Sequence, residues 1–391
     1  MIQLADRMNR LGTETAFEVL VKAKALEAEG RNIIHLEIGE PDFDTPQNIK
    51  EAAVKALHNG YTHYGPAAGL PQLREAIAEE TSRTRGIPVE PSNVVVTPGA
   101  KPIMFFSLLA CINEGDEVIY PNPGFPIYES VINFIGAKAV PIPLREEMEF
   151  RFDLDELRHL ITARTRMIVL NSPHNPTGGV LTEEDLQEIA RLAQEHDLIV
   201  LSDEIYRRII YDGYSHKSIA SIPGMQERTI ILDGFSKTYA MTGWRLGYGV
   251  MPVELAERIA QLQINSNSCT ASFTQMAGVE ALQGPQTAAE EMVKEFLRRR
   301  NVIVDGLNSI PGFRCLKPHG AFYVFPNITG TGKTSRELAD YLLHEAGVAA
   351  LSGTAFGVYG DGFIRFSYAN SVDNIKEALQ RIRIAVEKLS A

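Results

Sequence analysis

Hydrophobic and polar positions along this chain fall into two rhythms. From about residue 93, short apolar and β-branched runs recur at 94–96, 118–120, 168–170, 199–201 and 230–232. Amphipathic helical patterns separate several of them, most clearly at 183–196. Strands that are apolar on both faces and alternate with helices predict an α/β fold. Its large domain has three layers, a mainly parallel sheet covered by helices on both faces.

The flanking segments follow a different pattern. Residues 1 to about 30 read as a helix, with Phe17, Leu20, Val21 and Ala25 at helical spacing. A short apolar piece follows at 33–36, then the run GEPDFDTP at 39–46, whose prolines and glycine exclude a helix. Residues 49–58 read as a helix that Asn59 and Gly60 close, and the loop beyond holds Tyr61, Tyr64 and Gly65. From about 285 a charged helix leads to the apolar run 322–325, another helix, the run 362–368 and a last helix. The expected division is a large domain over 46–284 and a smaller α+β domain made of 1–45 and 285–391.

Composition narrows the function. The 391 residues are 45% hydrophobic and 22% charged, with a formal net charge of -11, which argues against a nucleic-acid backbone as partner. Cys111, Cys269 and Cys315 cannot all pair and form no CxxC, so a reducing compartment and no metal cluster are expected. The N-terminus lacks the apolar core of a secretory signal, and no apolar run is long enough for a membrane span. The expected location is the cytoplasm.

Each predicted strand runs into a polar or glycine-rich segment. These hold Gly99, Ala100 and Lys101; Phe125; Asn175; Asp203 and Tyr206; and Ser236 and Lys237 followed by Arg245. In an open parallel sheet, ligands bind beyond the carboxyl ends of the strands, so these segments should converge. Lys237 lies between an apolar strand and an aromatic-rich stretch, where burial disfavours the ammonium and frees the amine as a nucleophile. Gly99 opens a helix whose free N–H groups suit a phosphate. The GxxxxGK[ST] and GxGxxG patterns are absent. Each residue also has an ordinary explanation: Asp203 as a helix N-cap, Asn175 as a turn residue, Phe125 as core, Lys237 with its stem on apolar neighbours. What none of these explains is their joint occurrence at strand ends.

The ordered set GEPDFDTP at 39–46, YGPAAG at 64–69, NSPHNPTG at 171–178, SDEIY at 202–206, Ser236, Lys237 and Arg365 resembles the class I/II aminotransferases of the pyridoxal-phosphate fold-type I superfamily, in the prokaryotic aspartate/aromatic subgroup. The resemblance covers nearly the whole chain. It implies pyridoxal 5'-phosphate as cofactor, with Lys237 holding it as an aldimine and then shuttling a proton, and Asp203 paired with the ring nitrogen. Asn175 and Tyr206 would serve the ring hydroxyl, and Phe125 would stack on the ring. The phosphate would be held by Gly99, Ala100, Lys101, Ser236, Arg245 and Tyr64 of the partner subunit of a homodimer. Arg365, with Asn175 and the Gly39 backbone, would take the substrate α-carboxylate. Where many relatives have a phosphate-binding serine three residues before the lysine, this chain has Gly234. Lys101 is either a reader of a distal substrate carboxylate or a solvated lysine at a helix start.

The implied reaction moves an amino group from an L-amino acid to a 2-oxo acid by a ping-pong route, most simply of the aspartate or aromatic type. The alternatives are a carbon–sulfur β-lyase on the same fold and a ligand-sensing regulator. No basic helix-turn-helix segment precedes the fold, which disfavours the regulator.

Overall fold

The structure, a computed structural model, describes residues 2–389. Its large sheet has seven strands: β1 (Val94–Thr97), β2 (Glu117–Asn122), β3 (Lys138–Pro143), β4 (Thr165–Asn171), β5 (Ile199–Asp203), β6 (Thr229–Gly234) and β7 (Gly247–Val250). Their order across the sheet is β1-β7-β6-β5-β4-β2-β3. Only β7 runs against the others, pairing antiparallel with both β1 and β6. All five strands expected from the sequence therefore point the same way, and their carboxyl ends share one edge.

Both faces of this sheet are covered, which is why its strands are apolar almost without interruption. Ile119, Ile168, Leu170 and Val200 pack on one side with the helix Glu183–Glu195. Val118, Met167, Val169, Leu201, Ile230 and Leu232 pack on the other with the helix Lys101–Cys111. Two strands were missed. β3 carries Pro141 and Pro143 and lies at the sheet edge, where a missing N–H is tolerated. β7 is half glycine, and a Cβ on Gly247 would come within 2.4 Å of the Ala100 nitrogen. Its residues are selected by close approach to the Gly99 turn rather than by strand propensity.

The N-terminal segment departs from expectation. A 3-10 turn at Asp6–Arg10 precedes a helix at Thr15–Ala28 that buries only Ala23 and leaves Phe17 and Val21 60% and 69% exposed. Beyond it, Ile34–His35 pairs in parallel with Val348–Ala349 near the other end of the chain. Leu351–Ser352, Ile364–Ser367 and Tyr323–Val324 form a separate antiparallel sheet, with a core built on Phe296, Phe322, Phe366 and Ile382. Among the described residues no helix is long and apolar enough to cross a membrane.

Candidate active site

The register of the sheet brings the strand-end residues together. Asn171 and Asp203 are direct neighbours on β4 and β5, and Asp203 faces Leu232 on β6, five residues before Lys237. They line a cavity of about 550 Å³, within the usual size for a small-molecule site. Ala100, Lys101, Phe125, Asn175, Tyr206, Ser236, Arg245, Gly39 and Arg365 line it too.

The Lys237 ammonium donates to the Gly39 carbonyl at 2.5 Å. Its residual exposure is to this cavity, and burial pushes its pKa down to about 8. Asp203 is 8% exposed, and burial raises its carboxyl to about 6. Two donors oppose that rise: the Tyr128 hydroxyl at 2.6 Å on Oδ2 and the Ile205 N–H at 3.2 Å on Oδ1. The helix N-cap reading of Asp203 fails, since a turn and not a helix follows β5; one oxygen accepts the Ile205 N–H of that turn, and the residue lines the cavity.

Arg365, 4% exposed on the strand Ile364–Ser367, donates to Asn175 Oδ1 at 3.1 Å and to the Glu37 carbonyl, while its ring neighbours Tyr323 and Phe356 lie 4.4 and 4.8 Å from the guanidinium carbon. Its Nε has no partner. An unpaired buried donor on a cation is strained toward an anion, and burial lowers the pKa of the guanidinium. Tyr206 is 3% exposed and shares a hydrogen bond of 2.7 Å with the Tyr323 hydroxyl.

Gly99 adopts φ +82, and a Cβ there would come within 2.1 Å of Arg245 Nη2, so the glycine lets the guanidinium lie against the helix start. Gly234 has a packing reason as well: a Cβ would meet the Gly247 Cα at 3.1 Å and Ile205 Cδ1 at 3.3 Å. Tyr64 does not join the cavity within one chain; it is 90% exposed.

Sequence reasoning missed three contributors. Tyr128 lies one helical turn beyond Phe125 on the helix Ile127–Phe134, a spacing that could have flagged it. Tyr323 was read only as part of an apolar strand. Behind Asp203 lies a buried ionic network: Arg85 bonds Glu204 at 2.9 Å and Asp233 at 2.7 Å, Arg207 bonds Asp233 at 2.8 Å and Glu80 at 2.9 Å, and Tyr248 donates to Asp233 at 3.0 Å. Burial alone would raise Glu204, but the charges of His216 and Arg85 hold it well below the usual carboxylate range. Among the described residues no cluster of His, Cys, Asp and Glu could hold a metal ion.

The cavity brings an amine whose pKa burial lowers together with a buried carboxylate and two arginines, and comparison with known proteins gives the class. The family model for aminotransferases of class I and II matches residues 31–382. An aspartate aminotransferase of Pyrococcus abyssi is 47% identical over 90% of this chain and 91% of its own. Aromatic-amino-acid aminotransferase 2 of Thermococcus litoralis is 42% identical over 97% of each. Among solved structures, the aspartate aminotransferase of Thermus thermophilus with maleate superposes with a TM-score of 0.94 at 38% identity, covering 98% of this chain and 100% of that one. The chain belongs to the class I and II aminotransferase family. It is an enzyme, an aminotransferase, and the lyase alternative gains no support from these relatives.

Proposed function

We propose that the enzyme moves the amino group of an aspartate- or aromatic-type L-amino acid to a 2-oxo acid by a ping-pong route, with pyridoxal 5'-phosphate in the strand-end cavity. The observation that carries this is a single one: the Lys237 amine, brought down to about 8, in the same cavity as the Asp203 carboxylate and the Arg365 guanidinium. The substrate types follow those of the relatives in Pyrococcus and Thermococcus, an aspartate and an aromatic-amino-acid aminotransferase.

The donor set fits that cofactor. Arg245, Ser236 and the N–H groups of Ala100 and Lys101 beside Gly99 suit its phosphate. Phe125 offers a ring face, Asn175 and Tyr206 suit the ring hydroxyl, and the buried Asp203 carboxylate would hold the ring nitrogen in its protonated form. Bound there, the cofactor supplies an electron sink for substrate chemistry at Cα. The chain supplies the rest. Arg365 takes the α-carboxylate bidentately and fixes which Cα bond faces Lys237. Lys237 Nζ, with part of its population unprotonated at neutral pH, would accept the proton from the substrate Cα and hold it for return. Asp203 stays ionised while a cation sits against it, because that charge offsets the burial that raises its pKa.

Tyr64 is assigned to the phosphate of the partner subunit in a homodimer. Its 90% exposure on one chain supports this, as do the exposed side chains of Asn265 and Ser266. The division into 46–284 and 1–45 with 285–391 is part of the same proposal, supported by the Ile34–His35 pairing with Val348–Ala349. The free cysteines Cys111, Cys269 and Cys315 support a reducing compartment, the cytoplasm.

The test is reconstitution. Protein incubated with pyridoxal phosphate should turn yellow and give a borohydride-reducible adduct at Lys237, absent in Lys237→Ala. A colourless protein without adduct refutes the proposal. Aspartate and phenylalanine should each give one equivalent of 2-oxo acid per site without ammonia; catalytic ammonia release would mean a lyase. Mixing Lys237→Ala with Tyr64→Phe should regain activity through one intact hybrid site, and no recovery removes the shared-site assignment.

A further inference from the structure

Four cations line the cavity: Lys101, Lys237, Arg245 and Arg365. Among the described residues, only Lys101 of these is paired with a carboxylate, and that carboxylate is Glu14, which lines the same cavity. Lys101 opens the helix Lys101–Cys111, and its ammonium lies 5.3 Å from the Phe125 ring centroid. It is 48% exposed in its side chain, whereas Glu14 is only 17% exposed.

Glu14 is not on a free tail. Arg10 donates to the Asn133 carbonyl at 2.9 Å, and the Gly12 N–H to Ser130 Oγ at 2.9 Å, so the residues just before it are tied to the helix Ile127–Phe134. Just after it begins the helix Thr15–Ala28, for which Glu14 is the N-cap. Glutamate is not among the preferred residues at that position, and here its side chain makes no capping bond. A local rule is broken to aim a carboxylate at Lys101. Burial lowers the pKa of both Lys237 and Arg365, and the charge of Glu14 is among the influences that partly offset it.

We propose that Glu14 is a specificity-determining residue: an internal carboxylate that occupies Lys101 and competes with the distal carboxylate of a dicarboxylic substrate. A substrate with a neutral or aromatic side chain leaves the Glu14–Lys101 pair intact. A dicarboxylic one exchanges partners with it. The released Glu14 then meets the uncapped N–H groups and positive end of its own helix, which keeps the exchange inexpensive. Both substrate types thus use one cavity, and Glu14 sets the balance between them. This assignment rests on the aminotransferase reading of the cavity.

The experiment measures binding to the holoenzyme of two unreactive probes, succinate and 3-phenylpropionate, by calorimetry. Glu14→Gln should tighten succinate about fivefold, or about 1 kcal/mol, the upper range for a part-exposed ion pair. It should change 3-phenylpropionate less than twofold. In a Lys101→Gln background the same substitution should alter neither. An unchanged ratio of the two affinities, or the same gain when Lys101 is absent, overturns the role of Glu14 and leaves the aminotransferase reading standing. If neither probe binds the parent protein and Arg365→Gln changes nothing, both fail together.

Discussion

The Tyr128 hydroxyl is the strongest donor on Asp203, and its removal should leave a signature that depends on pH. Burial raises Asp203 from 3.8 to about 6 in the folded protein. A carboxyl raised on folding binds its proton more tightly when folded, so this residue lowers stability as pH rises through that interval. The difference of about 2 units is worth about 3 kcal/mol, and at 8% exposure little of it is screened. Tyr128→Phe removes a hydrogen bond of 2.6 Å to the ionised form. Such a bond to a charged group is worth about 1.5–3 kcal/mol, which should raise Asp203 by a further ~1–2 units. At pH 5 Asp203 is largely protonated with or without Tyr128, and the substitution should cost only a neutral hydrogen bond, about 0.5–1.5 kcal/mol. At pH 8 the penalty should grow toward the charged value. Urea unfolding of the cofactor-free protein at the two pH values measures both. Equal penalties at pH 5 and pH 8 would refute the reasoning, as would a pH-dependent penalty that survives in an Asp203→Asn background.

Other outcomes follow from the same geometry. Lys237, at about 8, should react with cyanate along a pH profile centred near that value, with roughly a tenth of the amine neutral at pH 7; a midpoint above 10 contradicts its burial. Gly99→Ala forces a side chain into the left-handed region, about 1–2 kcal/mol, and into Arg245. Affinity for pyridoxal phosphate, read by fluorescence quenching, should drop about tenfold or more, and an unchanged affinity would remove the glycine's role. Arg85→Met strips a buried cation from Glu204 and Asp233, with an expected loss of about 3–5 kcal/mol. Adding Glu204→Gln should restore part of it, and additivity of the two losses would mean the pair is not coupled.

The parallel frame was legible because strands buried on both faces leave an unmistakable apolar run, and because such strands must end on a common edge. Lys237, Asp203 and Asn175 follow from that rule alone, and all three line one cavity. β7 escaped it, since a strand chosen for close backbone approach is written in glycine, here Gly247 and Gly249. The helix read over residues 1 to about 30 is present only as Thr15–Ala28, and its apolar positions are largely unburied. Phe17 borders the cavity and Val21 is exposed, so that helix is not selected solely to bury an apolar stripe. Tyr128 and the Arg85 network were hidden because their meaning lies in partners 75 and 119 residues away. Gly234 looked like a lost phosphate ligand, and the crowding against Gly247 shows what glycine provides in its place.

The pairing of Ile34–His35 with Val348–Ala349 also sets a clock on synthesis. A ribosome adding roughly 5–20 residues each second takes about 15–60 s to travel from the first strand to its partner. For that interval Ile33, Ile34 and Leu36, all buried in the finished protein, lack the cover that Val348 and Ala349 supply. The large sheet is complete by residue 250 and can fold in the meantime, whereas the N-terminal strand must wait for nearly the whole chain. Nascent chains arrested before residue 348 should therefore carry a folded sheet and an unprotected amino terminus, the segment on which a chaperone or protease would act first.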